Sequence, residues 1–146
     1  MILTKANISE LKKVTVKIVC PKDVEGSGII VSANGTLYVL TAAHVIENEN
    51  KDGHLEKKLI NVSMIRNSMP CNFTVDDIIV YNDKTDAAVL RVTYSGTTPL
   101  KGLDRIRILT SDINGVAAFC GIHRSEQTLS NTVLRREGWT LGLLLM

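Results

Sequence analysis

The sequence has no apolar stretch long enough to cross a bilayer as a helix. Its closing run, Gly138-Trp139-Thr140-Leu141-Gly142-Leu143-Leu144-Leu145-Met146, falls far short of the ~20 residues needed, so a membrane is not an expected partner. It also has little charge of one sign. With Lys+Arg 17 against Asp+Glu 15 the net charge is +2, which gives no broad positive field of the kind phosphate backbones require; nucleic acid is not an expected partner either. Long runs of one charge, or of Pro, Gly and Ser, are missing, which excludes a disordered chain. There are only 3 cysteines. Cys20, Cys71 and Cys120 form no C-x-x-C pair, which excludes a zinc knuckle and a disulfide framework and leaves them as small buried hydrophobes. The first residues, Met1-Ile2-Leu3-Thr4-Lys5-Ala6 followed by Glu10, Lys12 and Lys13, contain no apolar signal core and no cleavage site, so a cytoplasmic chain is expected. The glycosylation-type triplets at Asn7, Asn34, Asn61 and Asn72 then carry no weight.

What is present is enough apolar material for one domain with a core: 146 residues, 45% hydrophobic. Val14 to Cys20 is a β-branched run with one charge, and Ser27 to Ser32 is a second. Asn34-Gly35 separates the latter from Thr36 to Thr41, and that dipeptide is a strong two-residue hairpin signal because both positions tolerate positive φ. Ala42-Ala43-His44-Val45-Ile46 then breaks the alternation and reads as a single helical turn. A polar loop from Glu47 to Lys58 follows. Leu59 to Ile65, Cys71 to Tyr81 and Ala87 to Val92 read as further strands, with turns at Asn67-Ser68 and Asn82-Asp83. A short helix is expected only near Ile8 to Lys13. About six short strands with one irregular turn define an all-β fold, a small antiparallel barrel or sandwich. After Thr93 the stretch Ser95 to Asn114 is looser, and Gly115 to Cys120 and Thr128 to Arg136 are strand-like again.

The segment Gly26-Ser27-Gly28, hairpin, then Thr41-Ala42-Ala43-His44 resembles the first barrel of the trypsin-like serine peptidases of the chymotrypsin fold. Lys84-Thr85-Asp86-Ala87-Ala88-Val89-Leu90 resembles the segment that carries their triad carboxylate, in the same order of His before Asp. The resemblance implies that His44 is the general base and that Asp86 fixes its tautomer. It implies a complete first barrel over residues 1–94, a connection over 95–114 and a partial second barrel over 115–146. Val45 follows His44 where secreted animal trypsins carry a cysteine, so the bacterial, HtrA-like type is the better match. No cofactor or metal is implied, because triad chemistry needs none; His54 in the polar loop and His123 gain nothing from the motif and do not make a metal site.

The nucleophile is missing from this pattern. After Asp86 the serines are Ser95, Ser111, Ser125 and Ser130; only Ser95 is followed by glycine, and Thr93 stands where a G-x-S-G turn requires its first glycine, so none of the four fits that turn. Gly26-Ser27-Gly28 fits superficially but precedes the histidine. Cys120-Gly121 is the one candidate for a cysteine nucleophile, and it sits on an apolar strand where a thiol stays protonated. The expectation is therefore a peptidase domain truncated before its nucleophile and inactive as this chain. A protein or peptide substrate is expected, with a complementing C-terminal segment or a homo-oligomer as the other candidate partners. The alternative is a non-catalytic β-barrel interaction module, a pseudo-peptidase that binds a peptide at an open sheet edge. A retained His44–Asp86 hydrogen bond argues for the first reading, a splayed pair for the second.

Overall fold

A computed structural model describes residues 13–66, 69–96, 100, 115–123 and 126–134. The expected helix near residues 8–13 and the turn at Asn67-Ser68 lie outside them, apart from Lys13, as does nearly all of the 95–114 connection. Among the described residues eight strands are formed: β1 (Thr15–Cys20), β2 (Val24–Ala33), β3 (Thr36–Thr41), β4 (Asn61–Arg66), β5 (Met69–Asn82), β6 (Ala87–Tyr94), β7 (Gly115–His123) and β8 (Glu126–Leu134). The first six close into an antiparallel barrel in the order β1-β2-β3-β6-β5-β4, with the β1–β4 pairing sealing it.

Period-two patterning builds the core. Val16, Ile18 and Cys20 from β1 point inward with Val62 and Met64 from β4, Cys71, Phe73 and Val75 from β5, and Ala88, Leu90 and Val92 from β6. Ile30 and Val39 add the contribution of β2 and β3. Full burial of each aliphatic side chain is worth about 1.5–3 kcal/mol. Cys20 and Cys71 are free thiols within this core, as the sequence leads one to expect. Burial pushes the Cys20 thiol above its ordinary pKa, which keeps it protonated and unreactive.

Asn34 and Gly35 both adopt positive φ, 53° and 80°, between the paired residues Ala33 and Thr36. This is the turn their sequence specifies. β5 is the irregular strand. It pairs with β4 through Met69 to Phe73 and with β6 from Phe73 to Asn82, and its register with β6 slips at Val75/Asp77 and again at Ile78/Val80. Such bulges bend a strand and increase its twist, letting one long strand serve two neighbours around a tight barrel. Asp76 is fixed at the first bulge by the Thr93 hydroxyl, which donates to its carboxylate, and by Lys57 Nζ, which donates to its carbonyl at 3.0 Å. At the second bulge Ile79 and Val80 are exposed side by side.

β7 and β8 form a separate two-stranded antiparallel sheet, in register from Gly115↔Leu134 to His123↔Glu126. β7 runs beside β1 and β2. No second barrel is formed among the described residues, so this sheet is what stands where a partial second barrel is expected. None of the described helices is long and apolar enough to cross a membrane.

Candidate active site

Register brings together two residues that lie 42 positions apart in the chain. Thr41 at the end of β3 pairs with Ala88 at the start of β6, so the chain leaving β3 passes the chain entering β6 at one end of the barrel. His44 sits just after the first and Asp86 just before the second.

His44 lies in a 3-10 turn, Ala43–Val45, entered from extended backbone at Ala42 and closed by bonds from Val45 N to Ala42 O (3.2 Å) and Ile46 N to Ala43 O (3.1 Å). Ala43, Val45 and Ile46 are buried, which anchors the turn while the His44 ring stays outside. The thiol of Cys20 donates to Val45 O at 3.3 Å. The glycines of Gly26-Ser27-Gly28 have a packing role here. A Cβ on Gly26 would stand 2.5 Å and 2.6 Å from the two γ-carbons of Val45, and one on Gly28 would stand 2.9 Å from the Leu40 carbonyl oxygen. Val45 is stiff about χ1 and cannot swing both methyls away. The motif thus lets the histidine turn settle on β2, and Thr41 Oγ1 adds a bond to Ser27 O at 2.9 Å.

Asp86 closes the turn 83–86 with φ of 55°. A left-handed aspartate costs about 1–2 kcal/mol relative to ordinary backbone, so something must hold it. Its carboxylate accepts two bonds from the histidine: the backbone N–H of His44 to Oδ1 at 2.9 Å, and the ring Nδ1 to Oδ2 at 2.7 Å. The His44 backbone N–H does most to hold the Asp86 carboxyl below its ordinary value; partial burial opposes this, while the ring, its charge and the Ala43 N–H work in the same direction as the first. An ionised carboxylate can only accept, so Nδ1 carries a proton, and in the neutral imidazole the lone pair is then on Nε2. The side chains are 68% and 50% exposed, so the pair is open to solvent.

The neighbouring loop is ordered by Asn48. Its Oδ1 accepts from Asn50 N (2.9 Å) and Asp52 N (3.2 Å), and its Nδ2 donates to Asp52 O at 2.7 Å. Lys22, in the turn between β1 and β2, pairs with Glu49 on this loop and lowers the Glu49 pKa. His54 is exposed, and its ring has partners of its own. Its Nδ1 bonds to Leu55 O at 2.8 Å and its ring meets Tyr81 edge-on at 5.5 Å. Burial, with Glu47, Asp83 and Asp86 nearby, raises the Tyr81 pKa above 10.0. No group of three His, Cys, Asp or Glu side chains among the described residues is arranged to hold a metal ion.

Of the serines considered from sequence, Ser95 lies beyond the far end of β6 and its hydroxyl shares a hydrogen bond of 3.3 Å with Thr74. Ser130 is in β8, with its backbone opposite Phe119, and Cys120 is in β7 opposite Leu129. Ser111 and Ser125 lie outside the described residues. The sequence marks Asn82 as a turn former and gives it no part in the site. Its side-chain oxygen accepts from Lys84 N (3.0 Å) and Thr85 N (3.2 Å), and so shapes the turn that ends in Asp86.

A closed six-stranded antiparallel barrel with a histidine turn and an aspartate turn side by side at one end defines a chymotrypsin-like barrel protein. The family model described as trypsin-like peptidase domain matches residues 26–138, and the chain belongs to that family. Among solved structures it is similar to the HtrA-type protease AlgW with tripeptide, at 22% identity and a TM-score of 0.56. That likeness is one of fold, covering 90% of this chain and 39% of the other. No curated protein matches the sequence.

Proposed function

We propose that this chain supplies the His–Asp half of a trypsin-like serine endopeptidase and does not hydrolyse peptides as these 146 residues. The observation that carries the reading is the two-point contact of Asp86 with His44, through the backbone N–H and the ring. In that role Asp86 holds the imidazole in the Nδ1–H tautomer and steadies the imidazolium that forms during reaction. Nε2 then takes the proton of an attacking hydroxyl and returns it to the leaving amine. The acyl-enzyme step needs a nucleophile beside Nε2 and backbone N–H groups for the oxyanion. No serine after Asp86 lies in a G-x-S-G turn, since Ser95-Gly96 is preceded by Thr93-Tyr94 and the other three are not followed by glycine, so neither part is built from such a turn in this sequence.

On this reading β7 and β8 are opening strands of a second barrel, and the exposed faces of His44 and Asp86 are surface that the rest of that barrel would cover. A complementing C-terminal segment, or a second copy of the chain, is the partner class this implies. The substrate class is a protein or peptide, and no cofactor is required. The pseudo-peptidase alternative gives no reason for the pair to stay bonded, and the 2.7 Å contact favours the catalytic lineage. A fluorophosphonate probe and a broad peptide substrate test the claim on the purified 146-residue chain. Neither labelling nor turnover is expected. Labelling that disappears in His44→Ala would mean that a serine such as Ser125 or Ser130 is activated within this chain, and would overturn the proposal.

A further inference from the structure

Asp86 is held at positive φ without the freedom of glycine, and its carboxylate reaches His44 from that conformation of the turn. Within the turn itself, the side chain that organises the backbone is Asn82. As the last residue of β5 it is paired with Ala87 across the turn, so it stands where the strand hands over to residues 83–86. Its Oδ1 accepts from both Lys84 N and Thr85 N. An Asx turn of this kind replaces backbone partners that the tight loop cannot supply, and it fixes the direction in which the chain leaves the strand. The bulge at Ile78/Val80 lies just before Asn82 on the same strand, and bulges re-aim the strand that follows them. β5 therefore delivers Asn82 at a set angle, and Asn82 sets the turn that aims Asp86.

We infer that Asn82 is a positioning residue for the His44–Asp86 pair: through Lys84 N and Thr85 N it locks the turn that delivers the Asp86 carboxylate to Nδ1, and thereby sets the tautomer of His44. This rests on the reading of His44 and Asp86 as a catalytic pair, and it adds a residue that touches neither substrate nor reacting atoms. Two acceptor bonds are the operative feature, so Asn82→Asp should preserve the function and Asn82→Ala should lose it.

The test is the ring-nitrogen resonances of the ¹⁵N-labelled full chain, at a pH where the imidazoles are neutral, with His44 assigned by its loss in His44→Gln. The Nδ1–H tautomer is expected in the unsubstituted protein and in Asn82→Asp. Asn82→Ala should move His44 to the Nε2–H form or to a mixture of both. His54 is an internal reference, because its Nδ1 faces the Leu55 carbonyl, which can only accept; it should keep the Nδ1–H form in every variant. An unsubstituted protein whose His44 is in the Nε2–H form refutes the catalytic pair itself. An Nδ1–H His44 that persists in folded Asn82→Ala overturns the role of Asn82 while leaving the pair intact. If Asn82→Ala does not fold, Asn82→Asp decides: the Nε2–H form in that folded variant overturns the inference, and the Nδ1–H form supports it.

Discussion

Replacing Asp86 with asparagine changes one oxygen for an amide and leaves the shape of the turn. The carboxylate accepts two bonds from His44, at 2.9 Å and 2.7 Å. Bonds to a charged group contribute about 1.5–3 kcal/mol each where they are shielded from water. Here the two side chains are 68% and 50% exposed, so solvent screening reduces the sum to about 1 kcal/mol. The sign with pH follows from the lowered pKa of Asp86. The folded state binds that proton less readily than the unfolded state, so the contribution is complete above the ordinary value of 3.8 and is lost as pH falls through the lower folded value. Urea unfolding of the parent and Asp86→Asn proteins should therefore differ by about 1 kcal/mol at neutral pH, with the gap shrinking as pH falls below 3.8. A gap that stays constant or widens in acid would show that the ionised carboxylate is not what the His44 turn recognises.

Gly26→Ala should drive a Cβ into Val45, at 2.5 Å from its nearest γ-carbon, at a cost of about 1–3 kcal/mol; chemical denaturation measures the loss, and an unchanged midpoint would refute the packing role. Leu90→Ala removes a fully buried side chain from the barrel and should cost about 2–5 kcal/mol in the same assay, whereas a loss below about 1 kcal/mol would place Leu90 outside a packed core. The Tyr81 phenol, followed as the ultraviolet difference between the parent and Tyr81→Phe, should titrate above 10.0. Because the folded state keeps that proton longer, its stabilising contribution is present below 10.0 and is lost as pH rises through the raised value; a midpoint at or below the ordinary value contradicts this.

The barrel was largely legible because local chemistry and tertiary pairing agree over most of its strands. β3 runs over the residues that its pattern and the Asn34-Gly35 turn define. β2 begins earlier than its sequence suggests, at Val24, because Glu25 and Gly26 are made extended by pairing with Val19 and Ile18 of β1. Leu59 looks like the start of a strand but lies in the 3-10 turn Lys57–Leu59, ahead of β4. Neither bulge of β5 has a local marker, since a bulge answers to the curvature of the whole barrel rather than to its own residues. At the site, His44 and Asp86 were found through motif context, and the Thr41↔Ala88 register is the physical reason that such distant motifs meet. Asn82 was visible only as a turn former, because which backbone groups its oxygen accepts depends on a loop conformation that composition does not encode.

The proposed role of His44 and Asp86 is that of a prepared His–Asp pair awaiting a G-x-S-G turn, which this sequence does not contain. It is tested most directly by joining a trypsin-like second-barrel segment that carries a G-x-S-G turn after Leu134, and treating the folded chimera with a fluorophosphonate probe. Labelling of the introduced serine is expected, and it should fall sharply in His44→Ala and Asp86→Asn chimeras. A folded chimera that labels equally well with and without His44, or not at all, would contradict it.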